Sequence, residues 1–289
     1  MKRGNVIKPI LPILGLTLTL LSCNKASEQA HGVIKVPSQI ITVNEPTDKM
    51  AEIINNSDLA IDEKQGNISV YNHYASNFII AIDPGHQAKG NFELEPIGPG
   101  ASQSKAKVAS GTCGVSTKVP EYKLTLEVSL KLREELLARG YNVFIIRETD
   151  DVNISNRERT VMATEARADI FVRIHADGSE NSSINGILTI CPTIHNPYIS
   201  QLYVQSRALS DYILNAMVAV TGAKKRGVSE VDNMSGINWS TIPVTIIEMG
   251  LMTNPTEDKL MQTEEYQQKL VIGIADGIEQ YFIRNDIVY

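Results

Sequence analysis

From Phe78 onward the chain alternates between two hydrophobic patterns. Short unbroken apolar runs closed by Gly, Pro or Asp read as buried strands, and stretches with apolar residues at four-residue spacing read as amphipathic helices. Phe78 to Ile82 opens the series and stops at Asp83-Pro84-Gly85. Gln87 to Val119 is rich in Gly, Ser and Ala and has no period, so it reads as a long loop, of the kind that is usually functional or disordered in a compact domain. Pro120 to Arg139 is a helix, with Leu124, Val128, Leu132 and Leu136 on one face, Pro120 suited to its first position and Gly140 to its end. Tyr141 to Arg147 is the next strand. Ser155 and Glu158 form a capping box that opens a helix to about Ala168. Strands at Asp169 to Ile174 and Gly186 to Cys191 follow, then a helix over Tyr198 to Val220 and a strand over Ile242 to Glu248. Asn254 caps a short helix, and Glu264 to Phe282 closes the chain as a helix with the stripe Leu270, Ile274, Ile278 and Phe282. This alternation predicts an α/β fold: a single three-layer domain with a mostly parallel twisted central sheet flanked by helices.

Upstream of Phe78 neither pattern is sustained. Lys2, Arg3 and Lys8 precede an apolar stretch from Pro9 to Leu21, too short and too proline-broken for a membrane span, which reads as the core of a signal peptide. It ends Leu20-Leu21-Ser22-Cys23, which resembles a bacterial lipobox; that resemblance implies cleavage before Cys23 and a lipid on its sulfur. Ordinary cleavage nearby, with Cys23 an incidental thiol, is the alternative. Asn24 to about Ser76 is polar, with short apolar islands, and reads as a flexible tether carrying at most a short helix near Met50 to Ile54. The expected organisation is therefore a signal peptide over 1–22, a tether over 23–76 and a globular domain over 77–289.

Composition narrows the class. With 43% apolar residues in 289, the chain has material for a real core. A net charge of −6 argues against nucleic-acid binding, which needs a basic surface, and gives no reason to expect attraction to anionic lipid. Cys113 and Cys191 lie in a chain expected outside the cytoplasm, where a disulfide is permitted. Two independent buried thiols are the alternative, and the sequence leaves both open.

Four residues stand out by position. His86, His175 and Glu248 each close an apolar strand, and Glu121 falls in the first turn of the helix after the long loop. Strand carboxyl ends meet on one rim of an open α/β sheet, where ligands usually bind. Two imidazoles and a carboxylate, His86, Glu121 and His175, make a catalytic zinc set with a fourth position left for water, and Glu248 could take that water's proton. Each also has a plainer reading: the histidines as polar groups at turns, and Glu121 as an acid complementing a helix dipole. Glu248, directly after Val244-Thr245-Ile246-Ile247, is the hardest to treat so, because a carboxylate there is poorly solvated. His31, His73 and His195 are weaker candidates.

The order of these motifs decides between the readings. Ile82-Asp83-Pro84-Gly85-His86, Pro120-Glu121, Arg157, the run Ala168 to Ala176, Arg226-Gly227-Val228 and the run Pro243 to Asn254 together resemble the zinc-dependent N-acetylmuramoyl-L-alanine amidases, over Phe78 to Phe282. The resemblance implies one Zn2+ on His86, Glu121 and His175, Glu248 as catalytic acid/base, and peptidoglycan as substrate. The chain departs from many members at Arg173 (usually Ser), Asp177 (usually Asn) and Leu251 (usually Phe), and its loop between His86 and Glu121 is longer. That loop reads as a mobile flap beside the metal, helping to hold glycan or peptide. The expected protein is an extracytoplasmic enzyme anchored through a lipid on Cys23 to a membrane facing the cell wall, with no nucleic acid and no identifiable protein partner. The rival readings are a zinc carboxypeptidase or endopeptidase acting on stem peptides, distinguished by its products, and a non-catalytic wall-binding lipoprotein, which would not need all four site residues.

Overall fold

A computed structural model describes residues 59–62, 67–70 and 78–286. Ten strands and six helices occur among them. β1 (Leu59–Asp62) and β2 (Asn67–Val70) pair as an antiparallel hairpin inside the segment read as a tether. The signal peptide, Cys23 and the short helix expected near Met50 lie outside the described residues.

The central sheet has six strands: β3 (Ile79–Pro84), β6 (Asn142–Ile145), β7 (Ile170–Asp177), β8 (Ile187–Cys191), β9 (Lys225–Glu230) and β10 (Val244–Leu251). Their spatial order is β6-β3-β7-β10-β8-β9. The first four run parallel; β8 is antiparallel to β10, and β9 is parallel to β8. The mostly parallel sheet is thus as the alternation predicts. β9 gives no sequence signal because it is half-exposed and carries only Val228 as an apolar residue.

Alternating strand positions feed two cores. Ile80, Ile82, Ile170, Val172, Ile174 and Ile247 pack with α1 (Glu121–Ala138), α3 (Tyr203–Thr221) and α6 (Glu264–Asp286). The predicted helix stripes supply this layer: Leu124, Val128, Leu132, Leu136, Leu270, Ile274 and Ile278 are fully buried. α3 and α6 approach closely because Gly273 and Gly277 have no side chains; a Cβ at either would lie 2.6 and 2.4 Å from backbone atoms of Met217 and Ile213. On the opposite face Ala81, Phe171, Val244 and Ile246 pack with Ala163 of α2 (Asn156–Glu165) and Ile237 of α4 (Ser235–Asn238).

Helix ends follow local chemistry. Ser155 and Glu158 complete the expected capping box on α2, and Asn254 caps α5 (Pro255–Met261) by accepting from the N–H groups of Thr256 and Glu257. Pro120 sits at the N-cap of α1 rather than inside the helix, which leaves Glu121 as the first helical residue. A single turn of 3-10 helix, Ser200–Leu202, precedes α3 where a continuous helix from Tyr198 is expected.

The loop expected over Gln87 to Val119 is not structureless. It holds an antiparallel hairpin of β4 (Asn91–Pro96) and β5 (Ser104–Val108), with a register irregularity between Asn91 and Leu94. Glu95 is buried and its Oε1 accepts from the Arg157 N–H at the start of α2, while the Trp239 indole N–H donates to the Pro96 carbonyl. These anchors dock the hairpin on the domain. Its exposed, irregular strands hide the period-two pattern that would reveal it.

Candidate active site

Strand parity brings the chemistry to one rim. On the α2 side of the sheet the apolar positions Ala81, Phe171 and Ile246 give way to Asp83 and Arg173, and then to His175 and Glu248. His175 and Glu248 are paired in register on adjacent parallel strands. α1 delivers Glu121 from its first turn.

His86, Glu121 and His175 converge. His86 Nε2 lies 3.1 Å from Glu121 Oε1, His175 Nδ1 lies 3.2 Å from the same oxygen, and the two ring nitrogens are 3.2 Å apart. Among the described residues these three form a group able to hold a metal ion. Their protonation supports that reading. His86 Nδ1 donates to the Ala109 carbonyl at 2.9 Å, which turns Nε2 toward Glu121 and His175. Burial lowers the His175 pKa to about 4 against the opposing pull of Glu121, leaving that ring neutral at physiological pH. Burial raises the pKa of Glu121, but hydrogen bonds from His175 and His86 outweigh it and hold the carboxyl well below its usual range. Each of the three atoms can present a lone pair to one point once the imidazole protons directed at Glu121 are displaced, as a cation would do. A tetrahedral ion with ligands at about 2.0–2.1 Å needs ligand atoms about 3.3 Å apart, close to the triangle observed.

The neighbours fix each member. Thr112 donates to Glu121 Oε2 from its N–H (2.7 Å) and its hydroxyl (3.0 Å), and the Ala176 N–H donates to Oε1 (3.1 Å). Gly85 lies against the His175 ring: a Cβ there would sit 2.4 Å from Cε1. Gly111, with φ of 80°, passes His86 so closely that a Cβ would lie 2.9 Å from its ring.

The turn that aims His86 is held by buried arginines that sequence reasoning missed. His86 has φ of 60°, a left-handed conformation that costs a non-glycine residue roughly 1–3 kcal/mol unless its surroundings enforce it. Arg159 donates to the carbonyls of Pro84 (2.9 Å) and His86 (3.0 Å), and Arg147 to those of Pro84 (2.9 Å) and Gly85 (3.1 Å). Asp83 balances this charge, accepting from Arg159 at 2.7 Å and from Arg173 at 2.8 Å. Burial opposes ionisation of Asp83, yet the two guanidiniums hold its pKa down at about 2. The α2 arginine that reaches the site is therefore Arg159; Arg157 instead lies over the Trp239 ring at 4.1 Å. The signal was present as an acid inside the first core strand, with no partner visible nearby in sequence.

Glu248 occupies the same rim. Its Oε2 is buried without a hydrogen-bond partner, and burial, reinforced by the charges of Glu121 and Asp177, raises its pKa well above the usual range. Arg226 opposes that shift and is itself tied to Asp177 at 2.7 Å. The departures at Arg173 and Asp177 are thus each held in an ion pair, Arg173 with Asp83 and Asp177 with Arg226. His195 is exposed at a turn; His31 and His73 lie outside the described residues. Cys113 and Cys191 are free thiols, exposed and buried respectively, which resolves the open question against a bridge between them.

A three-layer α/β sheet whose rim holds a His-Glu-His triangle beside a glutamate with one buried, unpartnered carboxyl oxygen defines the metal-assisted hydrolase class. The family model for N-acetylmuramoyl-L-alanine amidases matches residues 80–280, and the chain belongs to that family, enzymes that cut the amide between muramic acid and L-alanine in peptidoglycan. Among its relatives, protein YqiI of Bacillus subtilis is 32% identical over 162 residues, covering 56% of this chain and 74% of that protein. An N-acetylmuramoyl-L-alanine amidase of Mycobacterium tuberculosis is 26% identical over 207 residues, covering 70% and 86%. The crystal structure of an N-acetylmuramyl-L-alanine amidase from Mycobacterium smegmatis superposes with a TM-score of 0.65 at 25% identity, covering 72% of this chain and 97% of that one.

Proposed function

We propose that this amidase is zinc-dependent, with His86 Nε2, Glu121 Oε1 and His175 Nδ1 holding the ion and Glu248 moving the proton. The observation that carries the reading is the triangle of two imidazole nitrogens and a carboxylate oxygen, with edges of 3.1–3.2 Å, beside a carboxyl oxygen that has no partner. Two imidazoles and one carboxylate are a donor set suited to catalytic zinc. When bound, the ion supplies Lewis acidity, which polarises the scissile carbonyl and shifts the pKa of water from about 15.7 to about 7.

The remaining work falls to the chain itself. Thr112 and Ala176 keep the Glu121 carboxylate turned toward the histidines, and Gly85 leaves room for the His175 ring. Glu248 Oε2 takes the proton of the attacking water and returns it to the departing L-alanine nitrogen. The raised pKa serves both halves: it makes Glu248 a stronger base than an exposed carboxylate, and it keeps the captured proton available. The Asp177–Arg226 pair keeps Arg226 from acting as an unopposed cation beside that carboxyl.

The enzyme works outside the cytoplasmic membrane on peptidoglycan, anchored through a lipid on Cys23. Support for the anchor comes from the basic start, the apolar stretch and the Leu20-Leu21-Ser22-Cys23 sequence. Among the described residues no helix is long and apolar enough to cross a membrane.

Mass analysis of fragments released from purified peptidoglycan, with and without chelator, tests the activity. Free stems with an L-alanine amino terminus, lost on chelation and restored by zinc, are expected. Cleavage within the stem would instead make the protein a peptidase.

A further inference from the structure

The β4–β5 hairpin carries a feature that amide hydrolysis does not use. An open cavity of about 500 Å3 lies between the hairpin and the loop before α2, lined by Lys89, Asn91, Phe92, Glu93, Asp151 and Asn153 among others. Phe92 exposes 70% of its surface there although it is a large apolar side chain. Asn91 and Asn153 are linked across the cavity wall, Nδ2 to Oδ1 at 3.0 Å, which joins its two sides.

The cavity adjoins the candidate metal centre through a short covalent and hydrogen-bonded path. Gly90, at its wall, follows His86 by four residues, and a Cβ on Gly90 would touch Ser110 Oγ at 2.7 Å and Phe92 Cζ at 3.2 Å. Ala109, the neighbour of Ser110, accepts the His86 Nδ1 proton.

We infer that this cavity is a glycan subsite: it holds the sugar strand of the substrate while the amide lies at the His86-Glu121-His175 rim. An exposed aromatic face with amide and carboxylate groups around it suits a sugar ring, whose C–H face stacks on the aromatic and whose hydroxyls and acetamido groups hydrogen-bond to Asn and Asp. Charge selects the strand over the peptide. The sugar backbone is uncharged, its lactyl carboxyl being tied up in the amide, whereas stem peptides carry carboxylates. The lining offers Lys89 as a cation against Asp151 and Glu93, and Glu93 is already paired with Lys107 at 2.7 Å. No surplus positive charge is present in that lining to receive a peptide carboxylate.

The inference rests on the proposed amidase reading, and the test separates the two. Full-length protein carrying Glu248→Gln is titrated with chitotetraose, an uncharged β-1,4-linked N-acetylglucosamine oligomer with no amide to the stem. Binding is expected, weakened about ten-fold by adding Phe92→Ala, as loss of a good aromatic contact implies. Asn153→Ala is the second variant, and thermal melting of each confirms the fold. With Glu248 intact, Phe92→Ala is expected to lower kcat/KM for long glycan strands relative to that for muramyl dipeptide, through KM. Saturable chitotetraose binding that needs Phe92 supports the subsite even if no amide is cut, an outcome that would sink the hydrolase reading alone. No chitotetraose binding, or competition by a free stem peptide instead, would overturn the subsite even with hydrolysis intact.

Discussion

At the scale of single residues, two buried carboxyls carry opposite electrostatic loads. Asp83 faces two guanidiniums and its pKa is lowered from 3.8 to about 2. A depressed folded pKa means a contribution to stability that is present above the unfolded value and lost as pH falls through the folded one. Asp83→Asn is therefore expected to cost about 3–5 kcal/mol at neutral pH, read by denaturant unfolding, because it leaves Arg159 and Arg173 buried without a counter-charge. The difference from wild type should shrink as pH drops from 3.8 toward 2. Glu248 is the reverse case. Its folded pKa is raised, chiefly by burial, so the stability associated with its neutral form is complete below the unfolded pKa and lost as pH rises through the folded one. In metal-free protein Glu248→Gln is expected to raise Tm at neutral pH and to leave it unchanged in acid. A lower Tm at neutral pH would mean that an unseen partner satisfies the ionised carboxylate. The candidate site was legible at this scale because strand ends are marked by apolar runs that stop abruptly. His86 stands just past such a stop, whereas His175 and Glu248, expected to close their strands, lie inside β7 and β10, which run on to Asp177 and Leu251. Asp83 and Arg159 were not legible, because their partnership spans 76 positions and shows only once β3 and α2 are packed together.

At the scale of elements, the rim depends on close approach. The turn after β3 carries Gly85 against the His175 ring of β7, and a Cβ at 2.4 Å from that ring would force either the ring or the turn to move. Gly85→Ala is expected to lower zinc stoichiometry, measured by metal analysis after dialysis, with metal-free Tm falling little. Unchanged stoichiometry would show that the ring position is not set by that contact. Helices α1 and α6 could be read from their apolar stripes, and α2 and α5 from their capping residues, since those patterns are local. Strands β4, β5 and β9 could not. They are short and largely exposed, and their pairing is set by contacts such as Glu95 to the N-terminus of α2 that no local pattern encodes.

At the scale of the whole molecule, an α/β domain presents a polar rim while the chain before it is read as a leader and an anchor. Labelling cells with a fatty-acid analogue is expected to tag the protein and to fail in Cys23→Ala; an untagged wild type would remove the anchor from the account. The central claim is a division of labour at the rim, three residues for the ion and one for the proton, and Glu248→Gln tests it with two readings on one variant. Zinc per chain should stay near that of wild type, because Glu248 lies outside the His86-Glu121-His175 triangle. The turnover number for release of L-alanine-terminated stems should fall by about a hundred- to ten-thousand-fold, the usual contribution of a general acid/base. Near-normal turnover, or loss of zinc together with activity, would contradict that division.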